Sequence, residues 1–185
     1  MKKEVPMGKN VLVISTSLRK GNSQRLAEEF AKGAEKAGNH VEFITLQGKE
    51  IQFCRGCLAC LKTGACVIQD DAVEIAEKMG KAQVIAFASP IYYYEMCGQM
   101  KTMLDRANCL YDSDYQFTDI YFLSAAAEDE AETDRRAVSG LHGWIDCFPR
   151  AELKGTVFAG GVDGPGDIEG HPALKQAFEM GASIQ

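Results

Sequence analysis

What most constrains this chain is one alternation repeated five times. A short apolar run is followed by a polar turn and then by an amphipathic stretch. The apolar runs are 11–15, 40–46, 84–88, 120–123 and 155–159. Residues 40–46 show some alternation. The runs otherwise are apolar throughout, as expected of strands covered on both faces. Leu26, Phe30, Ala34 and Ala37 share a helical face, opened by Asn22 or Ser23 as cap and stopped by Gly38 and Asn39. A second helix begins at Asp70 and Asp71, carries Val73, Ile75, Ala76 and Met79, and ends at Gly80. The spacing predicts further helices from beyond Tyr92 to about Leu110, over 130–148 and over 173–180. Strands alternating with helices in this way specify a parallel sheet between two helical layers. The predicted fold is therefore a three-layer α/β/α sandwich with a five-stranded parallel sheet. The chain shows no internal repeat or linker, so 10–185 are expected to form a single domain, with 1–9 a flexible N-terminus.

Charge narrows the function. A net charge of -6 and a pI near 5.1 disfavour nucleic acid, which needs a basic face, and equally an anionic membrane surface. No apolar run approaches the roughly 18 residues of a membrane span, and the basic first ten residues have no apolar region behind them to make a signal peptide. Seven cysteines without a secretion signal read as reduced thiols, and the expected location is cytoplasmic.

In an open parallel sheet, ligands bind beyond the carboxyl ends of the strands. Three loops leave such ends: 15–23, 89–94 and 124–128. The first holds Ser15, Ser17, Arg19, Lys20, Gly21, Asn22 and Ser23 and runs into a helix N-terminus. Hydroxyls, free amides and the helix dipole there favour a phosphate. The loop matches neither the dinucleotide fingerprint nor the Walker pattern, and a plain polar turn is the competing reading. The second loop offers Pro90, Ile91, Tyr92 and Tyr93, an aromatic wall suited to a flat heteroaromatic ring. Its tyrosines could equally pack a subunit seam.

Three segments together resemble one family. The stretch from Ser17 through Arg19 to Asn22 and Ser23 resembles the S-P-R-x-x-[GS]-N-[ST] loop of the NADPH-dependent FMN reductases, with Leu18 in place of the usual proline. Ser89, Pro90 and Tyr92, followed by Lys101, Asp105 and Arg106, are similar to that family's S-P-x-Y and K-x-x-x-D-R segment. Cys54, Cys57, Cys60 and Cys66, followed by Asp70 and Asp71, are similar to the cysteine loop of its iron-sulfur flavoprotein branch. The resemblance implies a flavodoxin-like fold with strand order 2-1-3-4-5, FMN, and a homodimer or homotetramer. It implies that Ser15, Ser17, Leu18, Arg19, Asn22 and Ser23 hold the FMN phosphate. Pro90, Ile91, Tyr92 and Tyr93 would line the ring, and Ser124 and Ala125 would close its far side. The expected activity is an FMN-dependent NAD(P)H oxidoreductase of the FMN or quinone reductase type. The flavin carries the chemistry, and no protein side chain need act as catalytic acid or base.

The cysteine loop leaves alternatives open. Its C-x2-C-x2-C-x5-C spacing fits a [4Fe-4S] cluster, as the resemblance to iron-sulfur flavoproteins implies. Plain thiols are a second reading, and zinc a third that the tight single loop fits less well. With a cluster, the chain would exchange single electrons with a ferredoxin-like partner. Without one, it would serve small-molecule donors and acceptors. Cys97, Cys109 and Cys147 are expected on helices in the core, and Trp144 as packing. The glycines between Gly160 and Gly166 read as a turn.

Overall fold

A computed structural model describes residues 8–185. The elements run β1 (Asn10–Ser15), α1 (Asn22–Lys36), β2 (His40–Thr45), α2 (Cys60–Thr63), α3 (Asp71–Lys81), β3 (Val84–Tyr92), β4 (Glu95–Met96), α4 (Gly98–Arg106), β5 (Asp119–Ala125), α5 (Arg135–Ile145), β6 (Glu152–Ala159) and α6 (Pro172–Ala182). The sheet order is β2-β1-β3-β5-β6, with those strands parallel throughout. Counting only these five strands, this is the expected 2-1-3-4-5 order. The remaining strand, β4, is a two-residue antiparallel addition to β3.

Strand periodicity divides the core in two. Leu12, Ile14, Ile85, Phe87, Ile120 and Phe122 face one side and pack with Met79, Met100, Leu104 and Leu141 of α3, α4 and α5. Val11, Val13, Val84, Ala86 and Leu123 face the other, against Leu26 and Phe30 of α1 and Ala177 of α6. Successive side chains of one strand thus feed opposite layers. Each buried Leu, Ile or Phe contributes about 1.5–3 kcal/mol. Trp144 packs within an aromatic group, edge-on to Phe87 and stacked on Phe117.

Several expectations need correction. Coverage on both faces fails at β2: His40, Glu42 and Phe43 are exposed, because this edge strand is only partly covered. Strand β3 does not break at Ser89 but runs on through Pro90 to Tyr92, since β5 pairs with it as far as Pro90 and β4 pairs with Ile91 and Tyr92. The expected helix over 130–148 is shorter, Arg135–Ile145. Gly21, rather than Asn22 or Ser23, occupies the cap position of α1. Cys147 lies exposed just past α5 rather than in the core, whereas Cys97 and Cys109 are buried. The expectation of a flexible N-terminus falls mainly on residues 1–7, outside the described residues. Lys9 is tied down, with its N–H donating to Asn39 at 2.9 Å and its ammonium 2.8 Å from Asp119.

Helices α1 and α6 meet through glycine. A Cβ on Gly33 would lie 2.0 Å from the Phe178 carbonyl oxygen, and one on Gly181 would lie 2.0 Å from that of Phe30. Among the described residues no helix is long and apolar enough to cross a membrane.

Candidate functional site

The β1–α1 loop lies at the carboxyl edge of the sheet, where Ser15 is in register with Ala88 of β3. Ser15, Thr16, Ser17, Asn22 and Ser23 are buried, whereas Leu18 and Arg19 are exposed. The Ser17 hydroxyl donates to the Arg19 carbonyl (2.8 Å) and accepts its N–H (3.3 Å), which closes the turn. Arg19 Nη2 donates to the Asp163 carbonyl (2.9 Å) and Asn22 Nδ2 to that of Gly164 (3.0 Å). Ser15 Oγ and Asn22 Oδ1 are buried without a partner, and no side chain caps the first turn of α1. Buried polar atoms of this kind are normally satisfied. Those left here, beside the positive end of a helix, fit the phosphate and the hydroxylated chain of a flavin mononucleotide.

Beside this loop, β3 and β4 form a hairpin whose two-residue turn is Tyr93-Tyr94. Both have positive φ, 51° and 65°, as a tight hairpin turn requires. The turn leaves Tyr93 97% exposed and Tyr92 half exposed, while Ile91 is buried in the core. The Tyr94 hydroxyl meets Glu128 at 3.2 Å, and that hydrogen bond holds the phenol proton on more tightly than usual. Pro90 is in register with Ala125, so the expected ring-lining residues of two loops lie side by side. Ser124 turns its hydroxyl to the Asp134 carboxylate (2.7 Å).

A buried network absent from the sequence reading joins these loops. Thr16 Oγ1 donates to the Ala88 carbonyl (2.8 Å), and Cys97 Sγ lies 3.1 Å from that hydroxyl. With the threonine proton engaged, the thiol is the donor to Thr16. The Cys97 N–H donates to Ser89 Oγ at 3.0 Å. Only the hydroxyl run around Thr16 could have signalled this.

The four motif cysteines line one cavity of about 390 Å³, together with Cys147, Asn108, Tyr111 and Trp144. Cys54 and Cys57 are exposed, and Cys60 and Cys66 half-buried. Asn108 Nδ2 donates to Cys60 Sγ (3.3 Å), and the Gly56 N–H to Cys54 Sγ (3.4 Å). The donor set and the space suit a cluster. However, among the described residues no three Cys, His, Asp or Glu side chains are gathered so as to hold a metal ion. Burial, reinforced by the nearby Cys60 and Cys66, pushes the Cys109 thiol up and keeps it protonated.

Arg106 pins this loop at its base. Its side chain is fully buried and pairs with both Asp70 carboxylate oxygens, at 2.6 and 2.8 Å. It also donates to the carbonyls of Gln52 (2.8 Å) and Ile68 (3.0 Å). Asp70 in turn accepts the N–H groups of Gln52 and Ala72, the latter capping α3. Burial opposes the Asp70 charge, but Arg106 and these two amides outweigh it and hold the carboxyl below its ordinary 3.8. A carboxylate lowered on folding stabilises fully at neutral pH, and the contribution fades as pH drops through about 4 toward the lower folded value. Asp70→Asn should therefore flatten the acid side of a stability–pH curve measured by urea unfolding. An acid limb as steep as that of the wild type would mean that other carboxylates set it.

The model of the NADPH-dependent FMN reductases matches residues 9–141, which include the phosphate-type loop, the tyrosine hairpin and the cysteine loop. The chain belongs to this family. This is an FMN-binding family. An Archaeoglobus fulgidus iron-sulfur flavoprotein is 34% identical over 53% of this chain and 44% of its own length. A Bacillus subtilis protein, YwqN, named as a candidate NAD(P)H-dependent FMN-containing oxidoreductase, is 30% identical over 92% of this chain and 95% of its own. The chain spans about half the length, between 44% and 55%, of four of the curated iron-sulfur flavoproteins it matches. In fold it is similar to an NAD(P)H:quinone oxidoreductase from Methanothermobacter marburgensis, with a TM-score of 0.71 at 18% identity over 96% of this chain and 100% of the other. In this FMN reductase family member, β6, α6 and the loop between them lie beyond the matched residues.

Proposed function

We propose that this chain is an FMN-dependent oxidoreductase taking electrons from NAD(P)H and passing them to a small-molecule acceptor such as a quinone. The observation that carries the reading is the unpartnered Ser15 hydroxyl and Asn22 carbonyl, buried beside the uncapped first turn of α1. Arg19 adds charge for a phosphate. Asn22 Oδ1 can accept from a hydroxyl of the ribityl chain, and the exposed Tyr92 and Tyr93 supply aromatic faces on which a flat ring can stack. FMN, when bound, supplies the ring that accepts a hydride and releases electrons. The protein's part is to hold the phosphate, orient the ring and leave one ring face open. The exposed Tyr93, Phe53 and Leu58 support a homodimer or homotetramer, and the free thiols support a cytoplasmic location.

A second reading is an iron-sulfur flavoprotein in which the cysteine loop closes on a [4Fe-4S] cluster and trades single electrons with a ferredoxin-like protein. It is favoured by four thiols lining one cavity. The deciding experiment is an absorption spectrum with iron and sulfide assays on protein purified without oxygen. Flavin bands with no iron, and NADPH oxidation on adding a quinone, are expected on the first reading. Flavin bands with about four irons per chain would favour the second. A chain that takes up no FMN would defeat both.

A further inference from the structure

The loop between β6 and α6 reads as a plain glycine-rich turn in the sequence and lies beyond residues 9–141, which the family model matches. In the folded chain it is built onto the β1–α1 loop. Asp167 Oδ2 accepts two consecutive backbone N–H groups, from Asp163 (3.1 Å) and Gly164 (2.7 Å), and the Asp167 N–H donates back to the Gly164 carbonyl (3.2 Å). One carboxylate thus folds 163–167 into a closed turn. The carbonyls of those same two residues receive Arg19 Nη2 and Asn22 Nδ2. The far end of the loop is fixed as well. The Val162 N–H donates to the Ala126 carbonyl (2.9 Å), and Gly160 is packed so closely on Asp129 that a Cβ there would lie 2.2 Å from its carboxylate oxygen. The loop therefore spans from the β5 end to the phosphate-type loop and is anchored on both.

We propose that Asp167 is a positioning residue for the phosphate-binding loop. By setting the direction of the Asp163 and Gly164 carbonyls, it orients the Arg19 guanidinium toward the phosphate of a bound flavin and the Asn22 Oδ1 acceptor toward a hydroxyl of its ribityl chain. This rests on the FMN reading above. The Asn22 amide illustrates the coupling. Its Nδ2 is held by Gly164, so its Oδ1 is presented as the buried, unpartnered acceptor of the site. Arg19 commits one of its N–H donors to Asp163 and keeps the others for an anion. Without Asp167, both contacts lose their fixed acceptor, and the side chains must be ordered again by the ligand.

The test compares FMN with riboflavin, which lacks the phosphate. Flavin is stripped from wild type, Asp167→Ala and Asp167→Asn, and each apoprotein is titrated with both ligands while flavin fluorescence is followed. Asp167→Ala should raise the Kd for FMN about tenfold or more, as expected for lost hydrogen bonds to a charged acceptor, and that for riboflavin, which keeps the ribityl hydroxyls but has no phosphate for Arg19, by no more than about threefold. Asp167→Asn keeps an oxygen able to accept both N–H groups and should return FMN affinity to within about threefold of wild type. Unchanged FMN affinity in Asp167→Ala overturns the inference. So does an equal loss for both ligands, which would mean general loosening, and so does failure of Asp167→Asn to restore binding. A wild-type chain that binds neither flavin overturns the FMN reading itself.

Discussion

Arg106→Met is expected to lower the unfolding free energy by about 3–5 kcal/mol, because it strips one partner from a buried ion pair and leaves the other charged and dry. The Arg106 side chain has no solvent exposure and that of Asp70 only 5%. The guanidinium also satisfies the Gln52 and Ile68 carbonyls, so four acceptors are affected by one substitution. For a chain of this size the loss corresponds to a fall in Tm of about 6–20 °C. Urea unfolding of Arg106→Met, Asp70→Asn and the double variant checks it. The double variant should be more stable than Arg106→Met, since no buried charge is then left alone. A loss under about 1 kcal/mol in Arg106→Met would mean that water reaches Asp70 and that the pair is not the keystone proposed. A second readout follows from position. Residues 53–67, with all four motif cysteines, project between the two stems that Arg106 joins. Release of the stems should speed the reaction of Cys60 and Cys66 with a thiol reagent in the native state.

Gly33→Ala is expected to destabilise by about 3 kcal/mol, although alanine is about 1 kcal/mol better than glycine inside a helix. The added methyl would meet the Phe178 carbonyl oxygen at 2.0 Å and the Ala182 nitrogen at 2.8 Å. Both obstacles are backbone, so no rotamer change relieves them, and α1 and α6 must separate. Gly143→Ala in α5 is the control. Nothing lies within 4 Å of the added carbon there, so propensity alone acts and stability should rise by up to about 1 kcal/mol. Thermal melts of the two variants should therefore move in opposite directions. A neutral Gly33→Ala would show that the helices yield at little cost. Because α6 follows the loop that carries Asp167, separation of these helices should also weaken FMN binding.

Most elements and the layer architecture were legible because burial on both faces leaves a plain mark in the sequence, whereas the strand order came only with the family resemblance. A fully apolar run such as 84–88 fits few places other than the middle of a parallel sheet. The phosphate-type loop was legible for a similar reason, since its residue types act locally, through their own backbone and the helix they precede. Element ends were less so. Pro90 reads as a breaker, yet β3 continues past it, because β5 holds the strand up to Pro90 and β4 holds the two residues beyond it. The shortened α5 and the exposed Cys147 likewise reflect neighbours that periodicity does not name.

By itself the sequence determined the layer architecture, the place of the phosphate-type loop and the clustering of four thiols on one segment. Each of these follows from residues close together in the chain. Only the tertiary structure decided that Arg106 closes the cysteine loop across 36 and 54 residues, or that Asp163 and Gly164 brace Arg19 and Asn22 across more than 140. Sequence pattern reports helix and strand periods, whereas a hydrogen bond between distant segments depends on where the packed sheet places two backbones. Such a contact leaves no period to read.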